Sequence, residues 1–255
     1  MLQQERHKKI LEQLEKENTV RISELSKTLG VTRQTVRRDL KELDKVGLIK
    51  KVHGGALLNR TNIEPSFSTR DNTSVVEKDI IGKKAAEFVE DGDAIFIDLG
   101  TTTLSMARNL TTKKDLTVIT NSLLIAMELA NIKEIKVLIS GGELRGEELS
   151  VSGPISNKSI QDIFIDKAFI GVGGLSLENG FTDFHLGECE FRRMMIKNAQ
   201  KSIALADHSK VDIVAIYKFA DIHEIDVLIT DIRTPQNVVS HLRGKGMKVE
   251  VLDVK

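Results

Sequence analysis

Hydrophobic positions recur at helical spacing near the start of the chain and gather into short β-branched runs farther along. Ile10, Leu11 and Leu14 place an apolar stripe on a first helix over residues 3–17. Leu25 and Leu29 mark a second helix, with Ser23 placed to cap it and Gly30 to end it in a left-handed turn. Val36, Leu40 and Leu43, at i, i+4 and i+7, give the buried face of a third helix over 33–46, which Thr32 can cap and Gly47 ends. Residues 48–52 read as a strand and Gly54-Gly55 as the turn of a hairpin. Helix, helix, tight turn, helix and hairpin make the winged helix-turn-helix plan.

Residues 58–74 keep neither period. Asn, Ser, Thr and Pro65 dominate there, so the stretch is expected to be a linker between a head of residues 1–57 and a body of residues 75–255. The body opens with a helix expected over 75–89, with Val76, Ile80, Phe88 and Val89 inward. Asp91-Gly92-Asp93 turns the chain. Apolar runs follow over 94–98, 116–120, 135–140, 167–172, 202–206, 226–229 and 248–252, most of them separated by helix-length segments. That alternation predicts an α/β domain with a largely parallel sheet.

Composition narrows the class. A chain of 255 residues holds one or two domains, and 40% hydrophobic with 29% charged residues excludes a disordered or low-complexity chain. No apolar run, that over 168–175 being among the longest, approaches the roughly 18 residues of a membrane span. The start of the chain lacks the apolar core of a secretory signal, and the single cysteine, Cys189, excludes an intrachain disulfide. The expectation is a cytoplasmic protein with no membrane association.

Net charge is zero, but it is unevenly spread. Residues 1–60 hold 14 Lys and Arg against 8 Asp and Glu, a net of +6; the remainder, with 23 against 29, carries −6. A basic head suits an anionic partner, duplex DNA first, although a solvated helical surface produces the same count. The third helix sharpens this. With Val36, Leu40 and Leu43 inward, Arg33, Gln34, Arg37 and Arg38 project from its N-terminal half and outer face. Arginine can fork onto guanine and glutamine onto adenine in a major groove. Thr32, Thr35 and Lys41 suit phosphates, which fix register without reading sequence. Lys51 and His53 of the hairpin could meet phosphate or the minor groove, or the hairpin could only pack on the helix. Arg37 or Arg38 could instead pair with Asp39, Glu42 or Asp44.

In the body, the ends of the expected strands share a chemistry. Asp98-Leu99-Gly100-Thr101-Thr102-Thr103, Thr120-Asn121-Ser122, Gly141-Gly142, Gly171-Val172-Gly173-Gly174 and Asp207-His208-Ser209-Lys210 combine small residues, hydroxyls and a mobile cation. Ligands of parallel sheets bind outside the carboxyl ends of strands, and a helix start suits phosphate. Asp98, Asn121 and Asp207 could bond sugar hydroxyls.

The stretch Glu24-Leu25-Ser26, Leu29-Gly30-Val31-Thr32, Thr35-Val36-Arg37-Arg38-Asp39-Leu40 and His53-Gly54-Gly55-Ala56 resembles the N-terminal signature of the DeoR family of bacterial transcriptional regulators. Ile81-Gly82, Asp98, Gly100-Thr101-Thr102-Thr103, Thr120-Asn121-Ser122, Gly141-Gly142, Ala168-Phe169-Ile170-Gly171, Asp207 and Ser209-Lys210 resemble that family's C-terminal sensor domain. The resemblance spans nearly the whole chain. It implies a winged helix-turn-helix joined to a Rossmann-like domain related to sugar-phosphate isomerases and CoA transferases. It also implies that the Gly100–Thr103 loop holds the phosphate of a phosphorylated sugar, with Asn121, Gly141, Gly142 and Lys210 lining the pocket. The expectation is a metabolite-responsive repressor of a sugar-metabolism operon, relieved by a phosphorylated sugar, without a cofactor or metal. It is expected to bind double-stranded operator DNA as a homo-dimer or homo-tetramer, since one winged helix makes few base contacts.

Two other readings stay open. A sugar-phosphate isomerase-like enzyme with a DNA-binding appendage would need an acid–base group, for which Glu143, Glu188, Asp207 and His208 are candidates. His185, Glu188 and Cys189, at i, i+3 and i+4, could share a helix face around a metal, although Cys189 beside Phe191 and Met194 also suits a core.

Overall fold

The computed structural model describes residues 3–17, 19–45, 49–52, 54–58 and 64–253. The chain divides into two units, Met1–Thr61 and Asn62–Lys255. Val46, Gly47 and Leu48, where the third helix was expected to end and the hairpin to begin, and His53 lie outside the described residues.

The head runs α1 (Gln3–Glu17), β1 (Thr19–Arg21), α2 (Ile22–Leu29), α3 (Arg33–Lys45), β2 (Ile49–Val52) and β3 (Gly55–Leu58). Ile10, Leu14, Val20, Leu25, Val36, Leu40 and Ile49 form its core. The three strands make an antiparallel sheet in the order β1-β3-β2. Strand β1 was not foreseen, because three residues with only Val20 inward are too short to show a period. Its pairing needs Gly55, where any Cβ would lie 1.9 Å from the Val20 carbonyl oxygen. Because β1 runs straight into α2, Ser23 falls inside the first helical turn and Arg21 takes the cap position without a side-chain bond, correcting the expected Ser23 cap. Gly30 adopts the left-handed conformation (φ 64°, ψ 34°). The Val31 N–H then bonds the Ser26 carbonyl at 3.2 Å, and the Ser26 hydroxyl donates to the Val31 carbonyl at 2.7 Å. This locks the turn that aims α3.

The body continues with α4 (Phe67–Asp71), α5 (Val75–Glu87), β4 (Ala94–Ile97), α6 (Thr101–Arg108), β5 (Leu116–Thr120), α7 (Leu123–Leu129) and β6 (Ile135–Ile139). Next come β7 (Glu143–Arg145), β8 (Ser150–Ser152), α8 (Pro154–Ile160), β9 (Ile165–Gly171), β10 (Gly174–Ser176), β11 (Gly180–Asp183) and α9 (Leu186–Asn198). The chain closes with β12 (Ala199–Leu205), β13 (Tyr217–Ala220), β14 (Val227–Asp231), α10 (Gln236–Gly244) and β15 (Lys248–Leu252). The seven longer apolar runs form one sheet in the order β15-β14-β12-β9-β4-β5-β6, every neighbouring pair parallel. Apolar side chains of the sheet pack on both of its faces, as in buried parallel sheets. Phe96, Ile170, Ala204 and Leu228 pack on one side; Ile95, Ile97, Phe169, Ile203 and Ile229 pack on the other.

Two expectations change. Val76 is 53% exposed, because α5 instead turns Ile81, Gly82, Ala85 and Ala86 inward. Gly82 lets α5 approach α6 so closely that a Cβ would meet the Met106 nitrogen at 2.7 Å. From Glu64 onward, the stretch expected as linker belongs to the body. There Ser66 caps α4 by accepting the Thr69 N–H, and Arg70 pairs with Glu148. Among the described residues no helix is long and apolar enough to cross a membrane.

Candidate functional site

Helix α3 presents two chemically different sides. Val36 and Leu40 are fully buried, while Thr32, Arg33, Gln34, Arg37, Arg38 and Lys41 are exposed and Thr35 is half-buried. Thr32 caps the helix, its hydroxyl accepting the Thr35 N–H at 3.1 Å. The carboxylates that could have neutralised the arginines are engaged elsewhere. Asp39 is fully buried and takes a two-pronged bond from Arg6 of α1, at 2.7 Å and 2.9 Å. Glu42 accepts from Gln3, and Asp44 accepts the Lys51 N–H at 3.0 Å. Among the described residues, no hydrogen bond or ion pair holds Arg33, Gln34, Arg37, Arg38 or Lys41. The outcome is a cationic ridge along the exposed side of α3. Lys51 is exposed on the hairpin.

In the body, β4 and β9 are neighbours at the middle of the sheet. From β4 the chain builds β5 and β6 to one side; from β9 it builds β12, β14 and β15 to the other. The carboxyl ends of β4 and β9 are therefore the switch point at which open parallel sheets bind ligands. A cleft of about 400 Å³, including its solvent-open mouth, lies there. Leu99–Thr102 and Gly171–Gly173 border it. The two loops touch because Gly171 has no side chain: a Cβ there would lie 2.7 Å from the Leu99 carbonyl. Gly100, at φ 139°, begins α6, whose first-turn N–H groups have no partner within the helix.

Cations collect on one side. Lys210 and Arg70 border the cleft. Burial pulls the Lys210 ammonium below its usual range, with Asp207 opposing and Arg70 adding to the fall. Behind them Lys78 of α5 is 4% exposed. Burial holds its ammonium down to about 8, Asp207 opposing and Lys210 and Arg70 reinforcing. Its Nζ donates to the Arg70 carbonyl. The Arg70 guanidinium itself lies between Glu148 and Glu64, the latter at 3.2 Å.

Facing them is a buried ion pair. Asp98 is fully buried and accepts from Arg192 Nε and from the Gly171 N–H at 3.1 Å. Burial pushes its carboxyl up to about 6, Arg192 holding the rise in check. Arg192 Nη1 also reaches Asp183 at 2.8 Å. Asn121 bridges Asp98, by Nδ2 at 3.3 Å, to the Leu99 N–H, which its Oδ1 accepts at 3.0 Å. This network sets the position of the β4 loop.

Of the residues singled out in the sequence, Gly100, Thr101, Thr102 and Lys210 border the cleft. Asp98 and Asn121 lie beneath it, wholly buried. Thr103 is also buried, its hydroxyl turned back onto the Gly100 carbonyl at 3.0 Å. Gly141 and Gly142 are not among the bordering residues. Gly142 instead admits the backbone of Ser152, 2.5 Å from where a Cβ would sit. Sequence reasoning missed Arg70 and Glu64, hidden in an apparent linker, and Arg192, whose only signal is a charge amid the apolar face of α9. Glu188 is occupied by Arg145 at 2.8 Å and Ser150 at 2.9 Å, and Cys189 is buried. Glu143 is exposed. His208 sits 3.1 Å from Asp231. No group of three or more His, Cys, Asp and Glu placed to hold a metal occurs among the described residues.

The DeoR-like helix-turn-helix domain family matches residues 6–62, and the DeoR C-terminal sensor domain family matches residues 73–232. The HTH-type transcriptional repressor GlcR of Bacillus subtilis is 36% identical over 254 residues, 99% of this chain and 98% of that one. The glycerol-3-phosphate regulon repressor of Escherichia coli K12 is 30% identical over 251 residues, 98% of this chain and all of the other. Among solved structures the likeness is remote: ribose 5-phosphate isomerase A from Methanocaldococcus jannaschii is 18% identical at TM-score 0.38, over 52% of this chain and 53% of that one.

Proposed function

This chain belongs to the DeoR family of DNA-binding transcriptional regulators, and from that premise we propose that it represses a sugar-metabolism operon and releases it when a phosphorylated sugar fills the body's cleft. The observation that carries the reading is the convergence of Lys210, Arg70 and the first turn of α6 on one cleft at the sheet's switch point. A dianionic phosphate suits that place, since helix-start N–H groups, threonine hydroxyls and cations all favour negative charge. Gly100, Thr101 and Thr102 contact the phosphate and Lys210 neutralises it. Asp98, Asn121 and Thr103 hold the loop from below, and Asp183 accepts from sugar hydroxyls. The body is in this reading a Rossmann-like relative of sugar-phosphate isomerases and CoA transferases that has kept binding without turnover. Gly141 and Gly142 shape the adjoining loop.

In the head, Arg33, Gln34, Arg37 and Arg38 read bases in a major groove, with Thr32, Thr35 and Lys41 on phosphates and Lys51 and His53 supplied by the wing. Two heads on a homo-dimer or homo-tetramer read two half-sites. A name such as glycerol-3-phosphate regulon repressor in a relative spanning nearly the whole chain supports a small phosphorylated polyol or sugar as effector. The test is a thermal-shift series on the full chain. Phosphorylated sugars should raise the unfolding temperature and their unphosphorylated parents should do so far less, as ligands of the native state do in proportion to occupancy. Steady turnover of a sugar phosphate would instead favour the isomerase reading.

A further inference from the structure

We propose that Arg70 is an effector-binding residue that changes partners: its guanidinium leaves Glu148 and Glu64 for the phosphate of the effector, and so loosens residues 64–66 at the start of the body. The proposal rests on the phosphate-cleft reading above and adds how occupancy of the cleft is passed on.

Three observations carry it. Arg70 borders the cleft together with Lys210 and Thr102, so its charge is within the site rather than outside it. Its present partners are two carboxylates on different segments, Glu148 and Glu64. A phosphate dianion offers the same fork two oxygens and twice the charge, and guanidinium–phosphate pairs are among the stronger charge-assisted bonds. The carboxylates it leaves are provided for. Glu64 keeps Arg145 at 2.6 Å, and burial already raises the Glu148 carboxyl, Arg70 opposing, so losing that partner eases its protonation.

The position of Arg70 in the chain gives the exchange its consequence. The head ends at Thr61, and Glu64 is the next described residue. Arg70 lies on α4 and bonds back by Nε to the Pro65 carbonyl at 3.0 Å, while Lys78 grips its own carbonyl from α5. The same five-residue helix thus faces the cleft and anchors the start of the body. Moving Arg70 toward an anion withdraws one of the two arginines that hold Glu64, leaving Arg145, and residues 64–66 gain freedom.

The experiment uses the full chain with inorganic phosphate as probe and chloride at equal ionic strength as control. Affinity is measured calorimetrically, and hydrogen exchange is followed over residues 64–71. Arg70→Gln should weaken phosphate binding on the order of tenfold, the loss of one charge-assisted contact. Glu148→Gln should strengthen it several-fold, because a competitor for the guanidinium is gone; a merely structural role for Glu148 gives no gain. Phosphate should speed exchange over residues 64–66 in the wild type, whereas Arg70→Gln, which has already lost the bonds to Glu64 and Pro65, should exchange fast there without phosphate. If Arg70→Gln does not fold, Arg70→Lys, which keeps the charge and loses the fork, carries the same comparison. A Glu148→Gln variant that folds and binds phosphate no better than wild type overturns the exchange. Wild-type binding lost in Lys210→Gln but unchanged in Arg70→Gln removes Arg70 alone. A wild type that binds neither phosphate nor any phosphorylated sugar removes the cleft reading with it.

Discussion

Lys78 keeps an ammonium where charge is disfavoured. Burial lowers it to about 8 from its ordinary 10.5, against the pull of Asp207, with Lys210, Arg70 and Asp71 also acting on it. Between those two values the unfolded chain binds more protons than the native one, so stability rises with pH across the window and the penalty is fully present below about 8. Urea unfolding at pH 8, 9 and 10 should therefore show a rise in the wild type that Lys78→Met reduces, leaving the smaller part that the lowered Lys210 contributes. Parallel curves would mean that the native state bears this charge without cost. The same residue illustrates what a sequence conceals. Nothing in Val75-Val76-Glu77-Lys78 marks position 78 as buried, and Val76 is the residue that a periodic reading turns inward. Tertiary approach of α5 to α6 through Gly82 decides the face.

Helix α3 carries two classes of charge with opposite roles. Asp39 is an internal joint to α1 through Arg6, while Arg37 is free to meet a partner. Asp39→Ala should lower the unfolding midpoint by several degrees, since it strands a buried guanidinium. Arg37→Ala should leave stability within about 0.5 kcal/mol yet weaken duplex binding by about 1–3 kcal/mol and relax base preference. Paired denaturation and DNA titrations at fixed salt check both. If Arg37→Ala costs as much stability as Asp39→Ala, the division of roles is wrong. The main sheet was legible because its inner strands carry fully buried apolar runs such as Ile95-Phe96-Ile97 and Ala168-Phe169-Ile170. β1, β7, β8 and β10, each three residues long, are too short to show alternation. The cleft was half legible. Gly100, Thr101, Thr102 and Lys210 follow strand ends, but Arg70 comes to the cleft from a short helix in a polar stretch without period.

At the scale of the molecule, regulation requires that effector and operator each weaken the other by the same factor. Thr102→Val keeps side-chain volume but replaces a hydroxyl with a methyl group at the border of the cleft. The variant should fold and bind operator normally, yet need a much higher effector concentration to let go. Titrating effector at fixed operator, and operator at fixed effector, checks both the shift and its reciprocity. Release at the wild-type concentration would move the phosphate away from Thr102, and equal effector binding with and without DNA would disqualify that compound as the signal. The sheet also sets an order of events during synthesis. β4 pairs with β9, Ile95 opposite Lys167, and β15 completes the sheet only at Leu252. All the strand pairing in the head, by contrast, closes by Leu58. At roughly 5–20 residues per second, a ribosome delivers the whole DNA-reading head many seconds before the last strand of the sensor. Each new copy therefore passes through an interval in which the DNA-binding head is complete and the sensor domain is still being made.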